Sequence, residues 1–209
     1  MNPSQKLINS DQPVVATATE PASGEAARPA DSDPARILAA AVDILLQGEL
    51  LLTSLPPSAY VERLPVAFNA SIGGHYGHCL DHFTSLLGGL DGAAIDYDLR
   101  ERDSRLKSQP DFALALTRRI RAGIECLEPS ALRTPVVARC EVSYGHGESP
   151  LANSSIGREL VYVIAHAIHH YALISVMARI MDVDLPSAFG AAPYTVSHLR
   201  STAGHWPFL

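Results

Sequence analysis

The stretch SSIGRELVYVIAHAIHHYALISVMARIMDV, residues 154–183, decides how the rest of the chain is read. Its apolar residues are close to continuous, and no Asp, Glu, Lys or Arg stands between Glu159 and Arg179. It reads as one long helix, capped by Asn153, Ser154 or Ser155. Three of the nine histidines of the chain, His166, His169 and His170, fall within five of its residues. On a helix, His166 and His170 share a face with about 5–6 Å between their Cβ atoms. Two imidazoles at that spacing can grip one metal ion. His169 lies about 60° to the other side of His166, which suits a supporting hydrogen bond better than ligation.

A third ligand has to come from elsewhere. The other histidine cluster is GGHYGHCLDHF, residues 73–83, with His75, His78 and His82. On a helix these three fall inside an arc of about 60°, so helical geometry alone does not choose among them. His78 with His82 would repeat the four-residue spacing and complete a four-histidine site. Three histidines with open positions suit catalysis better, because a closed site leaves no room for substrate. Buried polar groups need partners, and neutral imidazoles packed together find a natural one in a cation.

The helix over 154–183 has about the length of a membrane span. Its three central histidines and the absence of basic flanking clusters favour the central helix of a water-soluble protein instead.

The remaining sequence supplies three more helices. SDPARILAAAVDILLQGELLLTSL carries a serine or aspartate cap and Pro34 in its first turn, and its leucines and valines recur at helical spacing over about 34–54. Pro56 and Pro57 stop it, and YVERLPVAF (60–68) reads as a loop with a short extended piece. The second helix runs from Ser71 to about Leu87 and ends at Gly88 and Gly89. Residues 91–111 form a polar connection, and a third helix spans about 111–127. PVVARCEVSY (135–144), followed by Gly145, Gly147 and Pro150, predicts a small hairpin before the long helix. A short helix is expected near 196–201. The predicted fold is therefore all-α, a four-helix bundle with a small β-hairpin before the last helix. Three domain segments follow. Residues 1–33, with two bases and five acids and no hydrophobic period, form a disordered tail; 34–183 form the bundle; 184–209 form an extension on or near it.

Composition narrows the function. A net charge of −6 argues against a non-specific nucleic-acid binder. Three cysteines (Cys79, Cys126, Cys140) with no CxxC pair argue against a disulfide framework or zinc ribbon, and a reducing, cytoplasmic setting is expected. No secretory signal is legible at the N-terminus.

The stretches SIGGHYGHCLDHF and SSIGRELVYVIAHAIHHYALI resemble the DinB-like (YfiT-like metalloenzyme) superfamily, over about residues 35–195. The resemblance implies a four-helix bundle holding a divalent metal, zinc, nickel or iron. It places the first ligand on His78 and the HxxxH pair on His166 and His170. Gly77 stands where many relatives carry an arginine. The implied chemistry is thiol-dependent transfer, with a low-molecular-weight thiol activated on the metal, or metal-dependent hydrolysis. The expected partners are a small-molecule substrate and a second copy of the chain, with no nucleic acid and no membrane.

Other residues are candidates around that centre. Asp81, His82, His75 and His169 are second-sphere groups or alternative ligands. Glu159, two turns before His166, is a candidate base or substrate anchor, though an acid in a first helical turn also suits the helix dipole. Tyr97, Arg100 and Arg102 lie in a charged loop and are candidates for an anionic substrate. The alternative to an enzyme is a non-catalytic, metal-stabilised bundle serving as a binding or stress-response module.

Overall fold

The computed structural model describes residues 32–92, 94–99, 103–145, 147–186 and 188–202. Most of the tail expected over 1–33 lies outside them. Its last two residues, Ser32 and Asp33, open the first helix instead.

The chain is mostly helical. Helix α1 (Ser32–Ser54) is followed by a single turn of helix, α2 (Pro57–Val61), and by α3 (Ile72–Gly88). The short strand β1 (Ala94–Asp96) leads to the one-turn α4 (Arg105–Ser108) and to α5 (Pro110–Glu125). Strands β2 (Pro135–Arg139) and β3 (Leu151–Ser155) precede the long α6 (Ile156–Ile180), and α7 (Pro193–Thr202) comes last. Among the four long helices, α3 packs on α6 and α5, and α1 packs on α5 and α6.

Local chemistry sets the ends of the two helices that matter most here. Ser71 precedes α3 in an extended conformation, and its hydroxyl accepts from the Gly74 N–H at 3.0 Å. Ser155 does the same for α6, accepting from the Arg158 N–H at 3.3 Å. Each cap satisfies an N–H that the helix leaves without a carbonyl, worth about 1 kcal/mol. Gly89 follows α3 with ordinary right-handed backbone angles, so no left-handed turn requires a glycine there. A side chain at Gly89 would strike Ile95, so the glycine lets β1 come close to the end of α3.

The mostly helical chain carries, beyond the small hairpin expected of it, a third strand, making a sheet in the order β1-β2-β3. β2 and β3 are antiparallel, with Pro135 opposite Ser155 and Arg139 opposite Leu151. The expected hairpin is present, its first arm in the PVVAR part of the predicted run and its second in LANSS, past the glycines. β1 joins β2 in parallel, with Ile95 opposite Ala138. Ile95, Val136 and Ala138 are buried, so one face of the sheet closes against the helices. Residues 60–68 form no strand: they hold the end of α2, a 3-10 turn at Pro65–Ala67 and an isolated bridge from Leu64 to Ala70. Pro65, which has no ladder donor, opens that 3-10 turn, and Pro57 suits the first turn of α2.

Leu45, Leu51, Leu80, Phe83, Leu86, Ile124, Leu160 and Ile174 make the apolar centre, each buried. Burying such a side chain contributes about 1.5–3 kcal/mol. Within this core Tyr76 and Thr117 hydroxyls lie 2.8 Å apart, and Thr117 donates to the Ala113 carbonyl at 2.8 Å. Thr117 has only one proton to give, so Tyr76 is the donor of the pair. Tyr171 donates to the Ile44 carbonyl at 3.1 Å. Gly48 of α1 makes room for both tyrosine hydroxyls, which any added Cβ would strike. Phe189, from the segment after α6, stacks on Tyr171 with centroids 4.9 Å apart.

Among the described residues, two helices, α1 over Asp33–Ser54 and α6, are long and apolar enough to cross a membrane by length and composition, with 33% of each such stretch buried.

Candidate metal centre

α3 and α6 lie side by side, and their histidines meet between them. The His78 ring lies 4.5 Å from His82, 4.9 Å from His166 and 4.8 Å from His170, centroid to centroid. His82 stacks on His166 at 4.2 Å with 24° between planes, and His166 lies 4.6 Å from His170. One ligating nitrogen from each of His78, His82 and His166 falls within 4.8 Å of the others. These three histidines are thus positioned to hold a metal ion.

A hydrogen bond to a carbonyl sets the tautomer of His82. His82 Nδ1 sits 3.0 Å from the His78 carbonyl oxygen. A carbonyl has no proton to offer, so Nδ1 carries one and donates it. In a neutral ring Nε2 is then the nitrogen with a lone pair. His170 Nδ1 and His75 Nδ1 lie 2.9 Å apart and share one proton; where His170 is the donor, its Nε2 keeps the lone pair. Burial, then the neighbouring imidazoles of His166, His75, His169 and His82, pull His170 down to about 3. Burial and His169 also lower His75. Both rings are therefore neutral at pH 7, the form in which imidazole binds metal.

Of the residues expected at the centre, His78, His166 and His170 come together, and His82 joins them from the next turn of α3. His75 reaches the cluster through His170. His169 is exposed and touches His170 edge-on, 5.3 Å between centroids. Asp81 is half-buried and lines a cavity beside His78. Gly77 is buried under Leu106 of α4, whose Cβ would stand 3.2 Å from any Cβ added there. A large side chain has no space at that position. Cys79 is buried in the core, and burial raises its thiol well above the ordinary range.

Tyr97 and Glu159 form a buried pair beside the centre. Tyr97 follows β1, is 2% exposed, and lays its ring on His82 at 5.2 Å with 18° between planes. Its hydroxyl donates to Glu159 Oε2 at 2.9 Å. Glu159 Oε1 accepts from Ser154 Oγ at 2.6 Å and from Arg158 Nη1 at 3.0 Å. The carboxylate, 2% exposed, thus ties β1 to the β3–α6 junction. Burial, then the Glu159 charge, push the Tyr97 phenol above its ordinary range. The sequence offers Tyr97 as a candidate for an anionic substrate in a charged loop; in the structure it is a buried residue beside β1, and its hydroxyl is taken by Glu159. Arg100 and Arg102 lie outside the described residues.

Two cavities border this region. One of about 670 Å³ is lined by His75, His78 and His170 together with Arg63, Asp81 and Lys107. The other, about 360 Å³, is lined by Tyr97, Glu159, Tyr162 and Cys140 among others. Arg63, Lys107 and Tyr162 carry no motif in the sequence. Only the turns that bring 57–71 and 104–108 onto α3 reveal the first two.

No family model matches the chain, and no solved structure matches it significantly. A curated protein that the chain is similar to is FK506-binding protein 5 of Rhizopus delemar, 33% identical over 106 residues, or 51% of this chain. The matched part is 28% of that protein, so the chain spans little more than a quarter of its length.

Proposed function

We propose that the chain is a metal-dependent enzyme of the DinB-like type, its four long helices forming the bundle and a divalent ion sitting among the α3 and α6 histidines. The observation that carries this reading is the convergence of His78 and His82 from one helix with His166 and His170 from the other. His78, His166 and either His82 or His170 would hold the ion. Zinc, nickel and iron all suit neutral imidazole donors. When bound, such an ion supplies Lewis acidity that lowers the pKa of a coordinated thiol or water. The chemistry is thiol-dependent transfer or hydrolysis of a small molecule.

The protein groups have their own tasks. The Nδ1–H of His82, donated to the His78 carbonyl, orients its ring; the His75–His170 contact does the same for His170. Tyr97 and Tyr162 pack apolar surface against His82 and shield it from water on that side. Glu159 is a positioning residue in this scheme, since its two oxygens are engaged by Tyr97, Ser154 and Arg158. The working setting is cytoplasmic, supported by three free cysteines. The assembly is a homodimer, for which exposed Val161, Val176 and Ile180 on α6 offer an apolar face.

A second reading has one specific observation in its favour. With His82 beside His78, His166 and His170, four imidazoles are close enough to close the coordination shell, as in a purely structural site. The chain would then be a metal-stabilised binding module. Consumption of low-molecular-weight thiols and hydrolysis of ester or amide substrates, each with and without added metal, separates the two. Metal-dependent turnover in either screen supports the enzyme. A fully metal-loaded protein inert in both, with four nitrogens around the ion by X-ray absorption, supports the module.

A further inference from the structure

The cavity beside His75, His78 and His170 departs in charge from the chain that surrounds it. The whole sequence carries −6. The charged side chains lining this space are two cations, Arg63 and Lys107, and one carboxylate, Asp81. Both cations belong to the turns that lie over the first half of α3, and the carboxylate belongs to α3 itself.

These groups are ordered along α3. Ser71, Gly74, His75, His78 and Asp81 all line the cavity and recur at helical spacing, so the space runs along one face of the helix from its cap. Arg63 is held at the cap end, where its Nη1 donates to the Asn69 carbonyl at 3.3 Å. Lys107 is at the same end, because its backbone carbonyl presses on Gly73, where any added Cβ would collide with it. Asp81 lies ten residues along α3 from Ser71, about 15 Å of helix. His78 stands between, about 10 Å from the cap. Positive charge is thus gathered at one end, the imidazoles occupy the middle, and the single carboxylate is at the other end. A volume of about 670 Å³ suits a small molecule, and serine and asparagine side chains around the cap supply neutral hydrogen bonds.

We propose that this cavity binds a small molecule through a carboxylate or phosphate group, held between Arg63 and Lys107, with the remainder of the molecule lying along α3 toward His78 and His170. The anion grip depends only on Arg63 and Lys107. The placement of the other end rests on the reading of the histidines as the working centre. Asp81 sets the direction, since an anion beside it would be repelled toward the cap end.

The test is calorimetric titration of the full chain at low ionic strength with glutarate, with inorganic phosphate and with uncharged glutaramide. At least one anion is expected to bind saturably and about tenfold more tightly than glutaramide. The tighter of the two identifies the group as carboxylate or phosphate. In Arg63→Gln/Lys107→Gln, two changes at exposed positions, the preference is expected to shrink to within about twofold. Glutaramide binding as well as both anions, a preference unchanged in the double variant, or no saturable anion binding below about 50 mM overturns the proposal. The metal content of Arg63→Gln/Lys107→Gln is expected to equal that of the wild type. A wild type that takes up no metal refutes the metal centre, and the anion comparison is read independently of it.

Discussion

The Tyr97 hydroxyl donates to Glu159 Oε2 across 2.9 Å, with both residues 2% exposed. The same tyrosine ring lies on His82, so one buried pair links the sheet to the histidine cluster. Tyr97→Phe removes the donor and leaves the ring in place. It is expected to lower unfolding free energy by about 1.5–3 kcal/mol, the range for a hydrogen bond to a charged group, measured by urea titration. Metal affinity is expected to change less than about threefold, whereas Tyr97→Ala, which also uncovers His82, costs about tenfold. Equal metal affinities in the two variants would remove Tyr97 from the support of the centre.

Gly48 of α1 sits against the hydroxyls of Tyr76 and Tyr171. Gly48→Ala is expected to destabilise the fold by about 1–3 kcal/mol despite the higher helix propensity of alanine, because the methyl overpacks a site where polar atoms already meet. A thermal melt unchanged or raised in Gly48→Ala would contradict this packing.

The histidines differ in what they touch. His82→Ala and His170→Ala are each expected to weaken metal binding at least tenfold, and His169→Ala, at an exposed ring, by no more than about twofold. Competition with a colorimetric chelator gives the three values. A dominant effect of His169→Ala would overturn the assignment of nitrogens made from the hydrogen bonds.

His170 gives the metal-free protein a pH dependence of known sign. Its folded pKa is about 3, depressed by burial and by the neighbouring imidazoles, against an ordinary 6.5 for histidine. Between those values the unfolded chain holds a proton that the folded chain lacks, so stability rises with pH there. The contribution is fully present above about pH 6.5 and is lost as pH falls toward 3. His75, also lowered, acts in the same direction. Urea midpoints at about pH 7.5 and about pH 5 check it. A smaller drop in His170→Gln than in the wild type is expected, and an equal drop would show that other groups cause the acid sensitivity.

Much of this architecture is legible in the sequence because it is locally written. Ser71 and Ser155 mark helix starts by a hydroxyl at the right offset, and Pro56, Pro57 and Pro110 punctuate the chain by what their rings forbid. The four-residue spacing of His166 and His170 puts both on one face before any fold is known. What the sequence does not show is decided by partners far along the chain. β1 is three residues long, too short for a period, and it becomes a strand because β2 accepts it. Tyr97 reads as a substrate candidate among charged neighbours, and only the pairing of β1 shows it to be buried. Nothing on α3 alone selects among His75, His78 and His82. The facing helix sorts them: His78 and His82 lie against His166, and His75 meets His170. Arg63 and Lys107 lie in separate turns, and only their packing on α3 brings them to one cavity.

The most direct test of the central claim is elemental analysis of purified protein, loaded in turn with zinc, nickel and iron, for the wild type, His78→Ala and His166→Ala. If the two helices share one ion, the wild type holds about one per chain, and either substitution alone removes most of it while far-ultraviolet circular dichroism stays helical. A wild type that binds none of the three metals, or variants that keep full occupancy, would contradict a shared centre between α3 and α6.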